Sequence, residues 1–545
     1  MMVQQHHKAN VLRYLLTTYF SSVYCVKPPE LNYVEAIRSS GCNQGAMIDI
    51  PLITSTDVQL ALNKMKPKRS PGPDGIPPYI VKDCRTVLVK PLHHIFNLCL
   101  SSSTYPESWK LSRVVPVPKG SSGSSVSDYR PIAVLSIFGK LFESILCHLI
   151  KDQIECHLVD SQHGFRRHRS TTTNLLSFWT YVTKAVDSGY QVDTAYFDFR
   201  KAFDTVDNDI LLRNFAAAGF SPRLIKFFSC YLRNRRQYVQ CYGNISEPYQ
   251  TFSGISQGSN LGPLEFLVFI NDLPGVVSTA KCLLFADDLK LFLETRNHTD
   301  CQLLQADIDN VLERSRKNKL LFNNSKCSVV TISRKQNPIS YDYHLDNVVI
   351  PRSSAVKDLG VLIRSDLRFS DHITATCKKA YRTLGFVLRQ SQHLDSIASI
   401  KLLYNSFVRS ILENNAVIWS PHEAKYKLML EKLQKKFLRF LYYRSYGYFV
   451  GYPNLYPSNF LLGMLGYNTL EYRRDIYLIV TFVQILRGST FNPSVLELIS
   501  LNVPDNYVQA RRRRHELLAV PKCRLLLVKE SPLIRALTLL NGLVA

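Results

Sequence analysis

The sequence predicts an α+β fold followed by an α-rich, basic C-terminal region, and three observations predict it. From Tyr129 to about Ile363, short apolar strand-like runs alternate with helical patterns, the rhythm of a layered mixed domain. Beyond Asp371 the pattern turns mostly helical, with Ile373–Gln390 and Glu423–Tyr442 carrying apolar residues at helical spacing and Lys and Arg between them. The third observation is charge. With 67 Lys and Arg against 43 Asp and Glu, the 545-residue chain carries a formal +24, the electrostatic footprint of a polyanion binder.

Composition narrows the class further. At 46% apolar and 20% charged residues the chain is an ordinary globular protein, not a disordered one. The longest apolar runs, such as Tyr477–Leu486, are too short to span a bilayer, so no membrane partner is expected. Thirteen cysteines are scattered singly, without C-x-x-C pairs or His/Cys ligand spacing, and Met1–Arg13 is polar and His-rich, unlike a signal peptide. They read as reduced thiols of an intracellular protein, with no zinc site. Two stretches read as loops: Gly120–Ser127, GSSGSSVS, is flexible in composition, and Lys66–Pro78, KPKRSPGPDGIPP, is a basic loop whose five prolines and two glycines disfavour regular structure. The Arg511–Arg514 run reads first as a solvated face and second as a nucleic-acid contact.

The chemistry is carried by acids. Val192–Phe199, VDTAYFDF, reads as a strand that delivers Asp198 at its end, before Lys201–Val206 turns into a helix. Cys282–Leu293, CLLFADDLKLFL, reads as a hairpin whose turn presents Asp287 and Asp288. In an arbitrary hairpin such acids would serve the turn by bonding their own backbone. Together with Asp198 they describe something else, two strands of one sheet converging on a pair of divalent ions. Hard oxygen ligands suit Mg²⁺, with Mn²⁺ as a substitute, and the chemistry is two-metal in-line attack on phosphorus.

Seven segments in order carry a resemblance: YRPIAVLSIFGKLFESIL (Tyr129–Leu146), QHGFRRHRSTTTNLL (Gln162–Leu176), YFDFRKAFDTVDNDILL (Tyr196–Leu212), GISQGSNLGPLEFLVFINDLP (Gly254–Pro274), FADDLKLF (Phe285–Phe292), NNSKC (Asn323–Cys327) and VKDLGVLI (Val356–Ile363). They resemble the motif series of jockey-like non-LTR retrotransposon reverse transcriptases. Weaker similarity extends upstream through Arg69–Ile76 and downstream through ILENNAVIWSP (Ile411–Pro421). The resemblance implies a right-hand polymerase that extends a DNA primer on an RNA template, consuming deoxynucleoside triphosphates, during retrotransposition in the nucleus. Its parts would be a remnant of the preceding segment (1–50), fingers (51–190), a palm with an antiparallel sheet (191–355, within a reverse transcriptase domain of about 110–365), primer grip and α-helical thumb (356–450), and an α-rich basic region (451–545).

The same resemblance implies roles residue by residue. Asp198 and Asp287 ligand both metals, with Asp288 beside them and the backbone carbonyl of Phe199 as a further oxygen. Phe203 abuts the sugar 2′ position, and Gln257 and Gly258 contact the incoming nucleotide and template, the glycine allowing close backbone approach. Arg130 and Lys140 hold the triphosphate, Arg166 touches template or triphosphate, and Lys326 protonates the departing pyrophosphate. Asp204 and Asp207 are expected to cap or pair locally.

Ser256, Asn260, Glu265, Arg167-His168, Asn208, Arg364 and Asn414 depart from the family pattern, while the catalytic acids are intact. The second reading is therefore a truncated or decayed copy that only binds nucleic acid. A third, an intron-encoded splicing cofactor, fits less well because the downstream segment resembles the jockey-like thumb. Leu12–Cys25 resembles the stretch just before the fingers, so the family's endonuclease domain is expected to be missing, and no RNase H-like segment is read downstream.

Overall fold

The computed structural model describes residues 2–24, 47–119, 125–448, 456–502 and 516–544. Most of the GSSGSSVS run and all of Arg511–Arg514 lie outside these residues. The strands in chain order are β1 (Leu111–Pro118), β2 (Tyr129–Val134), β3 (Gln191–Phe197), β4 (Arg235–Cys241), β5 (Asn244–Ile245), β6 (Tyr249–Thr251), β7 (Lys281–Phe285), β8 (Asp288–Thr295), β9 (Ser328–Ile332), β10 (His344–Leu345), β11 (Val348–Val349), β12 (Ala355–Asp358) and β13 (Val361–Arg364). The fold is α+β.

Among the described residues, β7, β8, β3 and β9 form a four-stranded sheet in that order, antiparallel throughout. A mixed sheet runs β2-β1-β4-β5, with β6 also on β4 and only the β1–β4 pair parallel. The β3-centred sheet is buried on both faces. Ala195, Phe197, Leu289, Leu291 and Val329 point into one core, shared with the helices Ile137–Glu155, Gly262–Ile270 and His298–Lys317. Val192, Phe292, Val330 and Ile332 point into a second core, built with the helices Thr171–Asp187, Ser370–Gln390, Ala424–Tyr446 and Leu470–Leu486. Double burial explains why β3 lacks a clean polar alternation. Its one charged residue, Asp193, is fully buried and accepts from Tyr343 Oη at 2.7 Å and Thr331 Oγ1 at 2.6 Å.

The segment after Asp198 departs from expectation. Lys201–Val206 is not helical: Lys201 has φ +48°, the chain turns, and the helix starts only at Asn208, capped by Asp207, whose carboxylate accepts from the backbone N–H of Asp209 and Ile210. Asp207 also pairs with Lys319 at 2.7 Å. The C-terminal helices are part of the second core, and polar contacts reinforce this. Asn492 accepts from Ser177 at 2.9 Å and donates to the carbonyl of Thr173 at 3.0 Å, while Asp187 accepts from the backbone N–H of Leu525 at 2.9 Å. No helix of the described residues is long and apolar enough to cross a membrane.

Glu265, singled out as a departure, is 1% exposed in the helix Gly262–Ile270, facing Glu143 and Arg235. Burial, reinforced by the Glu143 charge, pushes its carboxyl up to about 8. The folded state then holds a proton that the unfolded chain has released, so stability falls as pH rises from about 4.5 towards 8. Glu265→Gln should therefore raise Tm at pH 8.5, by roughly 2 °C or more, and change it little at pH 5. A Tm difference independent of pH in scanning calorimetry would show that Glu265 is charged in the fold.

Candidate active site

Strand register brings the acids together. The β3–β8 pairing ends at Phe197 opposite Leu289, so the next residue along, Asp198, lies beside Asp288. Phe285 pairs with Asp288, leaving Ala286 and Asp287 as a two-residue turn. Ala286 sits at φ +56°, where a turn ordinarily takes glycine.

What holds an alanine there is the segment Ser161–Gly164, which lies parallel to β7 through hydrogen bonds from His163 N to Leu284 O and from Leu284 N to Ser161 O, both 2.9 Å. Gln162, 1% exposed, grips the turn: its Oε1 accepts from Ala286 N at 3.0 Å and Gly164 N at 2.7 Å, and its Nε2 donates to Ala286 O at 3.3 Å. A Cβ on Gly164 would lie 2.2 Å from Ala286 N, so only glycine fits. Gln162 and Gly164 received no role from the sequence, although both stand in the QHGF motif. Their partner is a turn more than a hundred residues away, and only the motif itself could have signalled it.

Packing carboxylates this way has an electrostatic consequence. Burial, with the Asp198 charge, raises the Asp287 carboxyl, and burial with Asp287, Asp358 and Asp198 pushes Asp288 up to about 6. Lys326 reaches Asp198 Oδ2 at 2.7 Å. The oxygens are hard donors with like charges nearby, the chemistry that divalent cations of the Mg²⁺ type prefer, but among the described residues no three such side chains are grouped as the ligands of an ion.

A cleft of about 1080 Å³ opens over the acids, and Asp198, Asp287, Lys326, Arg130, Phe199, Phe203, Gln257 and Gly258 all line it. Phe203 is half-buried, stacked on Phe266 with centroids 4.6 Å apart and edge-on to Phe165. Gln257 donates from Nε2 to Asp204 Oδ1 at 2.8 Å and accepts from Ala133 N at 2.7 Å. Gly258, at φ +133°, would bring a Cβ within 2.3 Å of Ala133 O. The close approach that requires this glycine is thus to β2 of its own chain. Asp204 is buried, which pushes its carboxyl up to about 6, and it anchors Gln257.

Three predicted residues lie elsewhere. Asp288 faces the other side of the turn, into a recess of about 230 Å³ shared with Asp198 and Lys326. Arg166 does not line the cleft: its guanidinium bonds Glu155 at 2.8 Å and the carbonyl of Val159 at 2.6 Å, committed to tying its loop to the helix Ile137–Glu155. Lys140, half-buried on that helix, is also off the cleft lining, and burial lowers its ammonium. Conversely Tyr19, Phe20, Val23 and Tyr24 line the cleft without having been foreseen, because Leu12–Cys25 gave only a resemblance that assigned no roles.

An antiparallel sheet that ends in three clustered carboxylates, under a cleft walled by an arginine and a glycine-containing loop, has the make-up of a nucleotidyltransferase domain of the polymerase kind. Residues 117–386 match the family described as reverse transcriptase (RNA-dependent DNA polymerase). The chain's similarities are to polymerases of mobile elements, jockey among them. It is 26% identical over 364 residues to the probable RNA-directed DNA polymerase from transposon BS of Drosophila melanogaster, covering 65% of this chain and 40% of that protein. Against the probable RNA-directed DNA polymerase from transposon X-element of the same fly, identity is 26% over 413 residues, covering 73% and 45%. Against the RNA-directed DNA polymerase from mobile element jockey it is 26% over 356 residues, covering 62% and 38%. The chain thus spans about two-fifths of the length of these relatives.

Gly164→Ala tests the docking of the turn. The added methyl must push the Ala286 backbone away, an overpacking that costs about 1–3 kcal/mol. Thermal unfolding should register the loss, and Mn²⁺ affinity by titration calorimetry should weaken with it. Wild-type stability in the variant would mean that the two segments do not touch.

Proposed function

We propose that this chain is an RNA-directed DNA polymerase that extends a DNA primer 3′-end on an RNA template with deoxynucleoside triphosphates. The observation that carries the proposal is the convergence of Asp198 with the Asp287–Asp288 turn at one end of a sheet, on the wall of a cleft that also holds Arg130, Phe203 and Gln257. In this reading the β3-centred sheet, with the helices Gly262–Ile270 and His298–Lys317, belongs to the palm (191–355). Fingers (51–190) contribute β1, β2 and Arg130, and a primer grip and thumb (356–450) contribute the β12–β13 hairpin and the helices C-terminal to it. The match of residues 117–386 to the reverse transcriptase family supports it.

Two Mg²⁺ ions, when bound, would supply acidification of the primer hydroxyl and charge neutralisation at the leaving pyrophosphate. Asp198 and Asp287 are the residues that would hold them, helped by the Phe199 carbonyl, with Asp288 adding charge from the far side of the turn. Their crowding favours cation uptake, since burial and the neighbouring charges raise the proton affinity of Asp287 and Asp288 until a cation relieves the repulsion. Arg130 meets the triphosphate as a permanent cation. Lys326, already 2.7 Å from Asp198, is within reach of the reacting phosphate and donates a proton to the leaving group. The ring of Phe203, held in place by its stack on Phe266, fills the space a ribose 2′-hydroxyl needs.

Asp287→Asn keeps the side-chain shape and removes its charge. Nucleotide incorporation on primed RNA with Mg²⁺ should fall by orders of magnitude, on the scale of about 10² or more, while RNA binding stays within a few-fold. Undiminished incorporation would remove Asp287 from the site.

Phe203→Ala opens the sugar pocket. Ribonucleotide use should rise relative to deoxyribonucleotide use, measured as the ratio of the two kcat/KM values. An equal loss for both substrates would assign Phe203 to core packing alone.

A further inference from the structure

The recess on the Asp288 side of the turn has a second wall. Asp198, Asp288 and Lys326 face Lys357, Asp358 and Leu359 across it, and the latter three form the tip of the β12–β13 hairpin. That tip is held by two anchors. Lys290, two residues past Asp288 on β8 and therefore on the same face of the strand, reaches Asp358 at 2.5 Å; their side chains are 4% and 6% exposed. Its ammonium also lies 4.7 Å from the centre of the Phe178 ring. The other anchor is Asn415, from the ILENNAVIW segment, at φ +50°. Its Nδ2 donates to the carbonyl of Leu359 at 3.1 Å, and its Oδ1 accepts from the hydroxyls of Thr171 at 3.0 Å and Thr172 at 2.9 Å.

A buried ion pair is a poor way to gain stability, because desolvation cancels most of the attraction and apolar side chains of similar size would bind the hairpin as firmly. What a charge pair supplies is a fixed direction and distance. Here both ends of that distance matter, since one belongs to the acid-bearing strand and the other to the hairpin tip across the recess.

We propose that Lys290 and Asn415 are positioning residues: by anchoring the Lys357–Leu359 tip, which the polymerase reading already makes the primer grip, they set the gap between that tip and the acids. The proposal rests on the polymerase reading and adds what fixes the primer end. The test uses the full chain with Mg²⁺, comparing wild type with Lys290→Met, Lys290→Arg, Asn415→Gly and the double variant Lys290→Met/Asp358→Leu. KM for primed RNA and KM for deoxynucleotide are measured separately, alongside Tm. Lys290→Met and Asn415→Gly should raise KM for primed RNA about tenfold or more, as expected when a reacting end is misplaced. Deoxynucleotide KM should stay within about twofold, and Lys290→Arg should return close to wild type. The double variant, which leaves no unpaired buried charge, should unfold no earlier than Lys290→Met yet keep the raised primed-RNA KM. Should Lys290→Met fail to fold, the double variant and Asn415→Gly carry the comparison. Two constants that move together, or a double variant with wild-type KM, would overturn the proposal. A wild type that incorporates no nucleotide sinks the polymerase reading instead; the anchors are then read by fluorescence anisotropy on a recessed-end duplex, where equal affinity of wild type and Asn415→Gly would overturn them.

Discussion

Carboxylates clustered at the end of a sheet repel one another, and here the sheet is buried on both faces, so low dielectric strengthens that repulsion. Asp198, Asp287 and Asp288 would separate if their backbones could move. They cannot, because β3 and β8 are locked in register between two apolar cores and the β7–β8 turn is clamped by Gln162 and Gly164. That constraint shapes the architecture around the site. The proton affinity of Asp287 and Asp288 is raised, Lys326 is drawn to Asp198, and an alanine is held at positive φ. Strain of this kind persists only where surrounding structure over-determines it.

Much of this was legible in the sequence, for definable reasons. The acids could be read because each lies at a change of pattern, where an apolar strand run stops and a polar turn begins. The helices after Asp371 could be read because their apolar periodicity is regular: Ser370–Gln390 and Ala424–Tyr446 lie within a few residues of the expected spans. Arg130, Phe203 and Gln257, assigned by resemblance, line one cleft with Asp198 and Asp287.

Other features were not legible because they depend on long-range partners. Arg166 carries the charge a phosphate contact needs, but Glu155, at the end of the helix Ile137–Glu155, meets it across a loop, and that carboxylate wins the guanidinium. Glycine at 258 was read as room for a ligand, whereas the neighbour it admits is the Ala133 carbonyl. Lys201–Val206 has helix-compatible residues, yet Phe203 stacking on Phe266 and the hydrogen bond from Ile255 N to Phe203 O hold the segment as a turn. In each case tertiary contacts override the local preference.

The same dependence on distant partners sets how the parts of the chain act together. The second core contains residues of β3, β8 and β9, the helices between Ser370 and Tyr446, and residues of the C-terminal helices, so no apolar boundary separates the sheet from the helices C-terminal to it. Asn492 and Asp187 add hydrogen bonds across the same junction. A shared core means shared cooperativity, because elements that bury one another's surface unfold together. The hairpin that faces the acids, the helices beyond it and the C-terminal region are thus coupled to the strand that carries Asp288. Leu478 and Phe482 belong to the same core as Phe292 of the strand that carries Asp288, so a substitution that loosens them weakens the packing behind that strand.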